Sequence, residues 1–519
     1  LGRIDQQVKI RGFRIELGEI EGQLLKHDHV KETIVIDRQD KEDKYLCAYI
    51  VPASNPTPGD AELRSYLSAI LPDYMIPSFF VFIDKMPLNA SGKIDKKALP
   101  VPSLLDKTRK YAAPRDAVEK KLAKTWSEVL NINDEDSDIG IDDNFFQLGG
   151  NSLKAMSLTA KIHKAFNVKI PLKDFFQKGC IRQMAYYIKE AAKEEFAIIE
   201  PVEKKEYYEL SSAQMRLYIL HRLDQNNTAY NMLYVFQLEG ILESDRLEET
   251  FRKLIDRHES LRTSFDSIGD MPVQRIHENV EFEIEFLATE KRCPGQTQAF
   301  DLSKAPLLRV ALGEAADGKH LLMVEMHHII ADGTSMEVLI KDFVGLYNRE
   351  SLNELGIQYK DFSEWQNRDK EKRKFLAQEE FWRNEFAGEI PVIDLPTDFA
   401  RPAVQSYEGN MLKFELAGEI AAALKSLALK TGTTMYMLLL AIFNIFLAKL
   451  SNREAIVTGT PVAGRHHADL EKIIGMFVNT LGLKNYPVGE KSFNGFLEEV
   501  KEKTLWAFEN QDYPYEDLV

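Results

Sequence analysis

Residues Met326–Met336 read MHHIIADGTSM, two adjacent histidines followed after three residues by an Asp-Gly pair. The stretch before them, Leu321–His327, is apolar enough to be a strand, and the change of character after His328 marks a turn. Neighbouring side chains on a strand point to opposite faces, so His327 and His328 are poorly arranged to share a metal ion, and no metal is expected. A histidine beside an apolar strand is, taken alone, most often a satisfied core residue. Further strand patterns fall at Met232–Leu238 and Leu307–Leu312, so the chain after Tyr208 reads as one long α/β region. Its second half begins near Tyr407–Leu416. The apolar run Met435–Leu450 is too short to span a bilayer and is interrupted by Asn444, which predicts a buried helix.

Upstream of this region the pattern changes. Val118, Leu122, Trp126 and Val129 recur at helical intervals between Asp116 and Leu130, and an acidic loop, Asp134–Asp143, follows. Leu153–Phe166, a short helix opened by Pro171, and Ile181–Lys193 complete a small four-helix bundle. Ser152, after Gly149-Gly150-Asn151, stands at a helix start, where a serine ordinarily serves as N-cap. The first hundred residues alternate strands (Thr33–Asp37, Tyr45–Val51) with a helix (Ala61–Leu71). Pro100, Pro102 and Pro114, and later the charged stretch Lys193–Glu206, punctuate linkers. The resulting organisation is 1–100, a linker 101–113, the bundle 114–193, a linker 194–207, and two halves of the α/β region, 208–385 and 386–519.

The 519 residues exceed one ordinary core, and 44% apolar with 28% charged residues describes a soluble globular chain. A net charge of −15 disfavours nucleic acid, whose phosphates need Lys and Arg, and no segment calls for a membrane. Three cysteines, Cys47, Cys180 and Cys293, cannot all pair, which points to a reducing cytoplasm. No signal peptide opens the chain. It starts at Leu1 without methionine and stops at Val519 inside a helical pattern, and reads as an excised fragment.

Three motif sets, in order, resemble a nonribosomal peptide synthetase where one module passes to the next. GRIDQQVKIRGFRIELGEIE (2–21), LPDYMIP (71–77) and NASGKIDKKAL (89–99) resemble the C-terminal subdomain of adenylating enzymes. DNFFQLGGNSLKA (143–155) resembles a peptidyl carrier protein. SSAQMRLYIL (211–220), RHESLRTSF (257–265), MHHIIADGTSM, YKDFSEWQ (359–366), Ile456–Leu481 and QDYPYEDLV (511–519) resemble condensation domains, the last incompletely. The implied fold is multidomain: a small α+β adenylation subdomain, a four-helix-bundle carrier, and a two-lobed α/β condensation domain like chloramphenicol acetyltransferase, lacking its C-terminal end.

The resemblance implies roles. Lys93, freed by Ser91 and Gly92, would neutralise charge developing as a carboxylate meets the α-phosphate of ATP, with Asp5 as hinge. ATP and magnesium would be used only with a large adenylation subdomain that precedes residue 1. Ser152 would carry 4′-phosphopantetheine, its hydroxyl left exposed by the glycines, with Leu153 and Met156 either docking contacts or core. His328, with His327 beside it, would contact the acceptor amine as it attacks the donor thioester in a cleft between the lobes, as base or as positioning group. Asp332 would hold the turn through an arginine, Arg257 or Arg262. Gly333 would keep the cleft open and offer its N–H to the oxyanion, and Asn479 would face the cleft from the second lobe. The partners implied are an upstream adenylation core, a downstream carrier bearing the acceptor amino acid, and a phosphopantetheinyl transferase. With no epimerase between carrier and condensation domain, the donor is expected to be L-configured. An epimerising or dual-function domain and a non-catalytic docking scaffold are the rival readings.

Overall fold

A computed structural model of the chain describes residues 7–10, 13–40, 43–53, scattered positions from 63 to 99, 111–132, 139–240, 242–287, 298–314, 319–369, 373–403, 406–407 and 409–519. Asp5, Ser91, Gly92 and Lys93, the hinge and lysine loop of the sequence reading, lie outside these residues. The chain divides into two compact units. One comprises 1–123, 133–143 and 414–426, the other 124–132, 144–413 and 427–519.

In the first unit, β1 (Gln7–Ile10) and β2 (Phe13–Glu16) form a hairpin, and α1 (Leu17–Leu24) follows. Strand β3 (Val30–Asp40) pairs antiparallel with β4 (Asp43–Pro52), and β5 (Phe79–Phe82) runs parallel to β4. The two predicted strands lie inside β3 and β4. Their side chains alternate between two apolar faces, which is what period-2 geometry requires of a sheet covered on both sides. Leu46, Ala48 and Ile50 join Leu17, Ile20 and Leu24 in one core. Cys47, Tyr49 and Val51 join Ile34, Ile36 and Leu99 in the other. Leu99 thereby anchors the chain six residues beyond Lys93.

The bundle helices are α2 (Ala117–Leu130), α3 (Ser152–Phe166), α4 (Leu172–Lys178) and α5 (Ile181–Glu190). In the second unit Phe145 is fully buried and meets Trp126 and Phe175 edge-on, with ring centroids 5.1 and 5.3 Å away. Edge-to-face aromatic packing of this kind is favoured by the ring quadrupoles. A Cβ on Gly150 would sit 2.3 Å from the Phe145 ring, and Gly149 has φ +91°. The double glycine is thus demanded by close approach and backbone conformation.

The α/β region opens with β6 (Tyr208–Glu209) and α6 (Ser212–Leu223), whose start is fixed by a Ser211–Gln214 capping box. Strand β7 (Asn231–Leu238) and α7 (Ser244–Arg257) follow, then the hairpin β8 (Thr263–Ile268) and β9 (Met271–Ile276). The main sheet adds β10 (Glu285–Leu287), β11 (Leu308–Glu314) and β12 (His320–His327) in the order β10-β11-β12-β7. Leu322, Val324 and Met326 project from β12 into a core shared with Phe251, Leu254 and Leu339. Helices α8 (Gly333–Tyr347), α9 (Tyr359–Asp369) and α10 (Arg373–Glu385) complete the first half.

The second half has α11 (Gly418–Thr431), α12 (Met435–Ser451), the antiparallel pair β13 (Ile456–Val462) and β14 (Asn479–Asn485), α13 (Phe493–Glu509) and α14 (Tyr515–Leu518). Helix α12 departs from expectation, because only one side of it is buried. Met437, Leu438, Ala441, Leu447 and Ala448 face inward, whereas Leu439, Ile442, Phe443, Phe446 and Leu450 are exposed. Asn444 is accommodated inside by donating to the Leu440 carbonyl at 2.8 Å, one turn back. Among the described residues no single helix is long and apolar enough to cross a membrane, and no cluster of side chains could hold a metal ion.

Candidate functional site

Strand β12 ends at His327, and the turn 328–332 delivers the chain to α8. The His328 N–H donates to the Tyr230 carbonyl at 2.8 Å, which ties the turn to the start of β7. His327 points back into the protein, 2% exposed, edge-on to His221 and Phe300. Its Nδ1 accepts the Ile329 N–H at 3.1 Å, so the neutral ring carries its proton on Nε2. Burial, reinforced by His221 and His328, lowers its pKa from 6.5 to about 3. His327 is therefore a neutral structural imidazole. His328, half-buried, turns the other way, and its Nδ1 is buried without a hydrogen-bond partner among the described residues.

Asp332 is fully buried and caps α8. Its Oδ1 accepts from the Ser335 N–H at 2.7 Å, the Ser335 hydroxyl at 2.8 Å and Arg465 at 3.0 Å, and its Oδ2 accepts from the Phe477 N–H at 3.2 Å. The arginine that holds the turn is thus Arg465, correcting the choice between Arg257 and Arg262. Arg257 instead binds Asp342 at 2.8 Å, and Arg262 donates to the His277 carbonyl at 2.6 Å. Arg465 also donates to the Leu470 and Ile473 carbonyls, both at 2.6 Å, and lies over the Phe477 ring. Ser335 bonds the Gly475 carbonyl at 2.9 Å, and the Tyr359 hydroxyl reaches Ser211 at 2.7 Å and the Met476 carbonyl. Burial raises the Tyr359 pKa, which keeps that hydroxyl a donor. A Cβ on Gly475 would lie 1.8 Å from the Tyr359 ring, so glycine is obligatory there.

Sequence reading missed Arg465, Ser335 and Gly475 as partners. Tyr359 and Ser211 were visible inside YKDFSEWQ and SSAQMRLYIL, but nothing in one sequence says that these motifs converge on Asp332. Gly333 has open space where a Cβ would be. Asn479 is committed to structure, since its Nδ2 donates to the Gln511 and Tyr513 carbonyls at 2.9 and 2.7 Å. It also lines a cleft with Phe362, Trp365, Phe477, His466 and Asp512. His328 is not among the residues lining that cleft.

In the carrier-like bundle the N-cap of α3 is Asn151, whose side chain accepts the Lys154 N–H at 2.9 Å. Ser152 is the first helical residue, so its hydroxyl is free of capping duty. Ser152 is 7% exposed, contrary to expectation, and its hydroxyl donates to the Thr434 hydroxyl at 3.3 Å. Thr434 is the N-cap of α12, so this contact comes from outside the bundle. Met156 is buried against Gln511, whereas Leu153 stands 55% exposed.

Residues 19–93 match the family model of the AMP-binding enzyme C-terminal domain, 120–188 that of the phosphopantetheine attachment site, and 204–519 that of the condensation domain. The chain belongs to the condensation-domain family. The three domains stand in the order found in nonribosomal peptide synthetases. Over its whole length the chain is 47% identical to bacitracin synthase 3 of Bacillus licheniformis and 48% identical to gramicidin S synthase 2 of Brevibacillus brevis. It spans only 8% and 12% of those proteins. Among solved structures, the X-domain in its complex with OxyB from teicoplanin biosynthesis matches with TM-score 0.58 at 27% identity, over 63% of this chain and 76% of that one. A four-domain nonribosomal peptide synthetase bound to AMP and glycine matches with TM-score 0.55 at 25% identity, over 62% and 25%.

Proposed function

We propose that this chain joins two carrier-bound amino acids in nonribosomal peptide synthesis, with Ser152 as attachment point of the donor arm and His328 as the group at the reacting centre. The observation that carries the first assignment is the division of labour at α3, where Asn151 caps the helix and leaves the Ser152 hydroxyl free of capping duty, engaged with Thr434 and not with its own helix. Phosphopantetheine, once attached, supplies the thiol that holds the acyl group. In the joining step the acceptor amine attacks the donor carbonyl, a C–N bond forms, the C–S bond breaks, and the amine proton ends on the departing sulfur. Tethering both reactants replaces diffusion by effective concentration.

The role of His328 follows from its unpartnered Nδ1. A strong general base needs an acceptor for the second ring proton, as the aspartate provides in a serine protease triad. Here the nearest acidic residue along the turn, Asp332, is spent on Arg465, Ser335 and Phe477. An orphaned buried N–H is rarer and costlier than an orphaned acceptor, which favours the proton on Nε2. His328 then donates to the carbonyl oxygen as charge grows there, aided by the Gly333 N–H at the start of α8. Removing one such donor costs about 10²–10³ in rate. His328→Ala should lose about that much amide formation, while His328→Gln, which keeps a donor, should retain most of it. Equal losses in both variants would make His328 a base.

On this reading the donor is L-configured, since the condensation match begins at 204, directly after the carrier match ends at 188. Chiral analysis of the product decides it. Domain limits at 1–100, 114–193, 208–385 and 386–519, activation with ATP by an adenylation core working with Lys93 and Asp5, a downstream acceptor carrier, a phosphopantetheinyl transferase and a cytoplasmic location complete the proposal.

A further inference from the structure

Helix α3 lies along the second half of the condensation region for its whole length. At its start the Ser152 hydroxyl donates to Thr434, and one turn later Gln511 meets the Met156 sulfur at 3.3 Å. Farther on, Lys161 pairs with Glu471 at 2.9 Å and Lys164 with Asp469 at 2.7 Å, while Ser157 donates to Glu471 at 3.4 Å. Two basic side chains thus face two acidic ones, Asp469 within the short turn Ala468–Leu470 and Glu471 just after it. Beyond the helix the connecting segment is held as well: His467 donates to the Ala197 carbonyl at 2.6 Å and its ring lies 4.4 Å from that of Phe196.

The residue that must react is the one this contact covers. Loading Ser152, an assignment that rests on the reading above, requires its Oγ to attack the pyrophosphate of coenzyme A. An O–P bond forms, the P–O bond to the adenosine bisphosphate breaks, that bisphosphate leaves, and the hydroxyl proton goes to solvent. Neither the line of attack nor the transferase fits against a serine that is 7% exposed and whose hydroxyl is bonded to Thr434. After loading, the ester oxygen has no proton left to give, and a phosphodiester stands where Thr434 was in contact.

We propose that the α3 face and the acidic turn at Asp469 and Glu471 form a latch that parks the unloaded carrier with Ser152 covered, so that loading waits on release and a loaded carrier no longer parks in this position. The linkage is reciprocal: whatever weakens parking speeds loading, and loading weakens parking. The partner that fits the acidic turn is therefore this chain's own α3, recognised by Lys161 and Lys164.

The test uses the full chain with coenzyme A and a phosphopantetheinyl transferase, following loading by intact mass. The variant Asp469→Lys/Glu471→Lys alters the side the transferase does not touch. Exposed ion pairs contribute about 0.2–1 kcal/mol each, so removing two should speed loading about twofold to thirtyfold. Adding Lys161→Glu/Lys164→Glu to that variant should restore the slow rate. Hydrogen exchange across 468–471 in the unloaded variant should match that of loaded wild type. Equal loading rates in wild type and Asp469→Lys/Glu471→Lys, with Ser152→Ala blank, would overturn the latch and leave Ser152 as the attachment point. Loading that persists in Ser152→Ala, or its absence in wild type, would overturn both.

Discussion

The two halves of the condensation region reach order by different means. The first builds a four-stranded sheet covered by helices, with a continuous core running from Leu210 to Leu339 that also takes in Ile474 and Met476 of the second. The second has a two-stranded sheet, β13–β14, and a helix, α12, that leaves five large apolar side chains in solvent. A lone pair of strands is marginal in water, so the second half cannot draw its order from its own sheet. It borrows it. Residues 464–477 are held by Asp332, Ser335 and Tyr359 of the first half, and Ser260 adds a bond to the Ile474 carbonyl at 2.6 Å. The Asp332 carboxylate is therefore a clasp between the two halves.

The sharpest way to break this contrast is Arg465→Met. Arg465 and Asp332 are almost wholly buried, and removing one member of such a pair strands the other charge, at about 3–5 kcal/mol. Urea unfolding should show the second half melting early while the first half keeps its transition. The double variant Asp332→Asn/Arg465→Met should recover part of the loss, because no charge is then left alone. A single unshifted transition in Arg465→Met would mean that the clasp does not support the second half.

How much of this was legible beforehand depends on the range of the interaction. The strand composition of β3, β4 and β12 and the helical spacing in α2 and α3 are local, and the sequence displays them directly. The sequence also displayed Ser152 and His328, because each sits at a change from one pattern to the next. The Asp332 partner was not legible, since Arg465 lies 133 residues away and any arginine would serve until the fold brings one near. Nor was the half-exposed α12: a run such as MYMLLLAIFNIFLAKLS is apolar all round, so its hydropathy carries no record of which side meets the core. The cover over Ser152 depends on a contact 282 residues along the chain and was beyond reach for the same reason.

A smaller effect comes from His327, which belongs to the first half. Its pKa is about 3 when folded and about 6.5 when unfolded. The unfolded chain thus binds more protons below pH 6.5, so the contribution of His327 is complete above that value and is lost as pH falls towards 3. The first-half transition should weaken on acidification from pH 7 to pH 4. In His327→Asn that part of the pH dependence should disappear, and an unchanged slope would show that another group is responsible.

The smallest expected effect tests the exposed face of α12. Phe443 and Phe446 keep about half their surface in solvent, so replacing both by Glu removes little packing, and stability should move by no more than about 0.5 kcal/mol. The same change should abolish binding of a hydrophobic dye, because contiguous exposed apolar surface of this kind is what such dyes and partner proteins recognise. A cost above about 1 kcal/mol would mean that the face is already covered in solution. The second half would then have a source of order of its own, and the dependence on Asp332 and Arg465 would have to shrink accordingly.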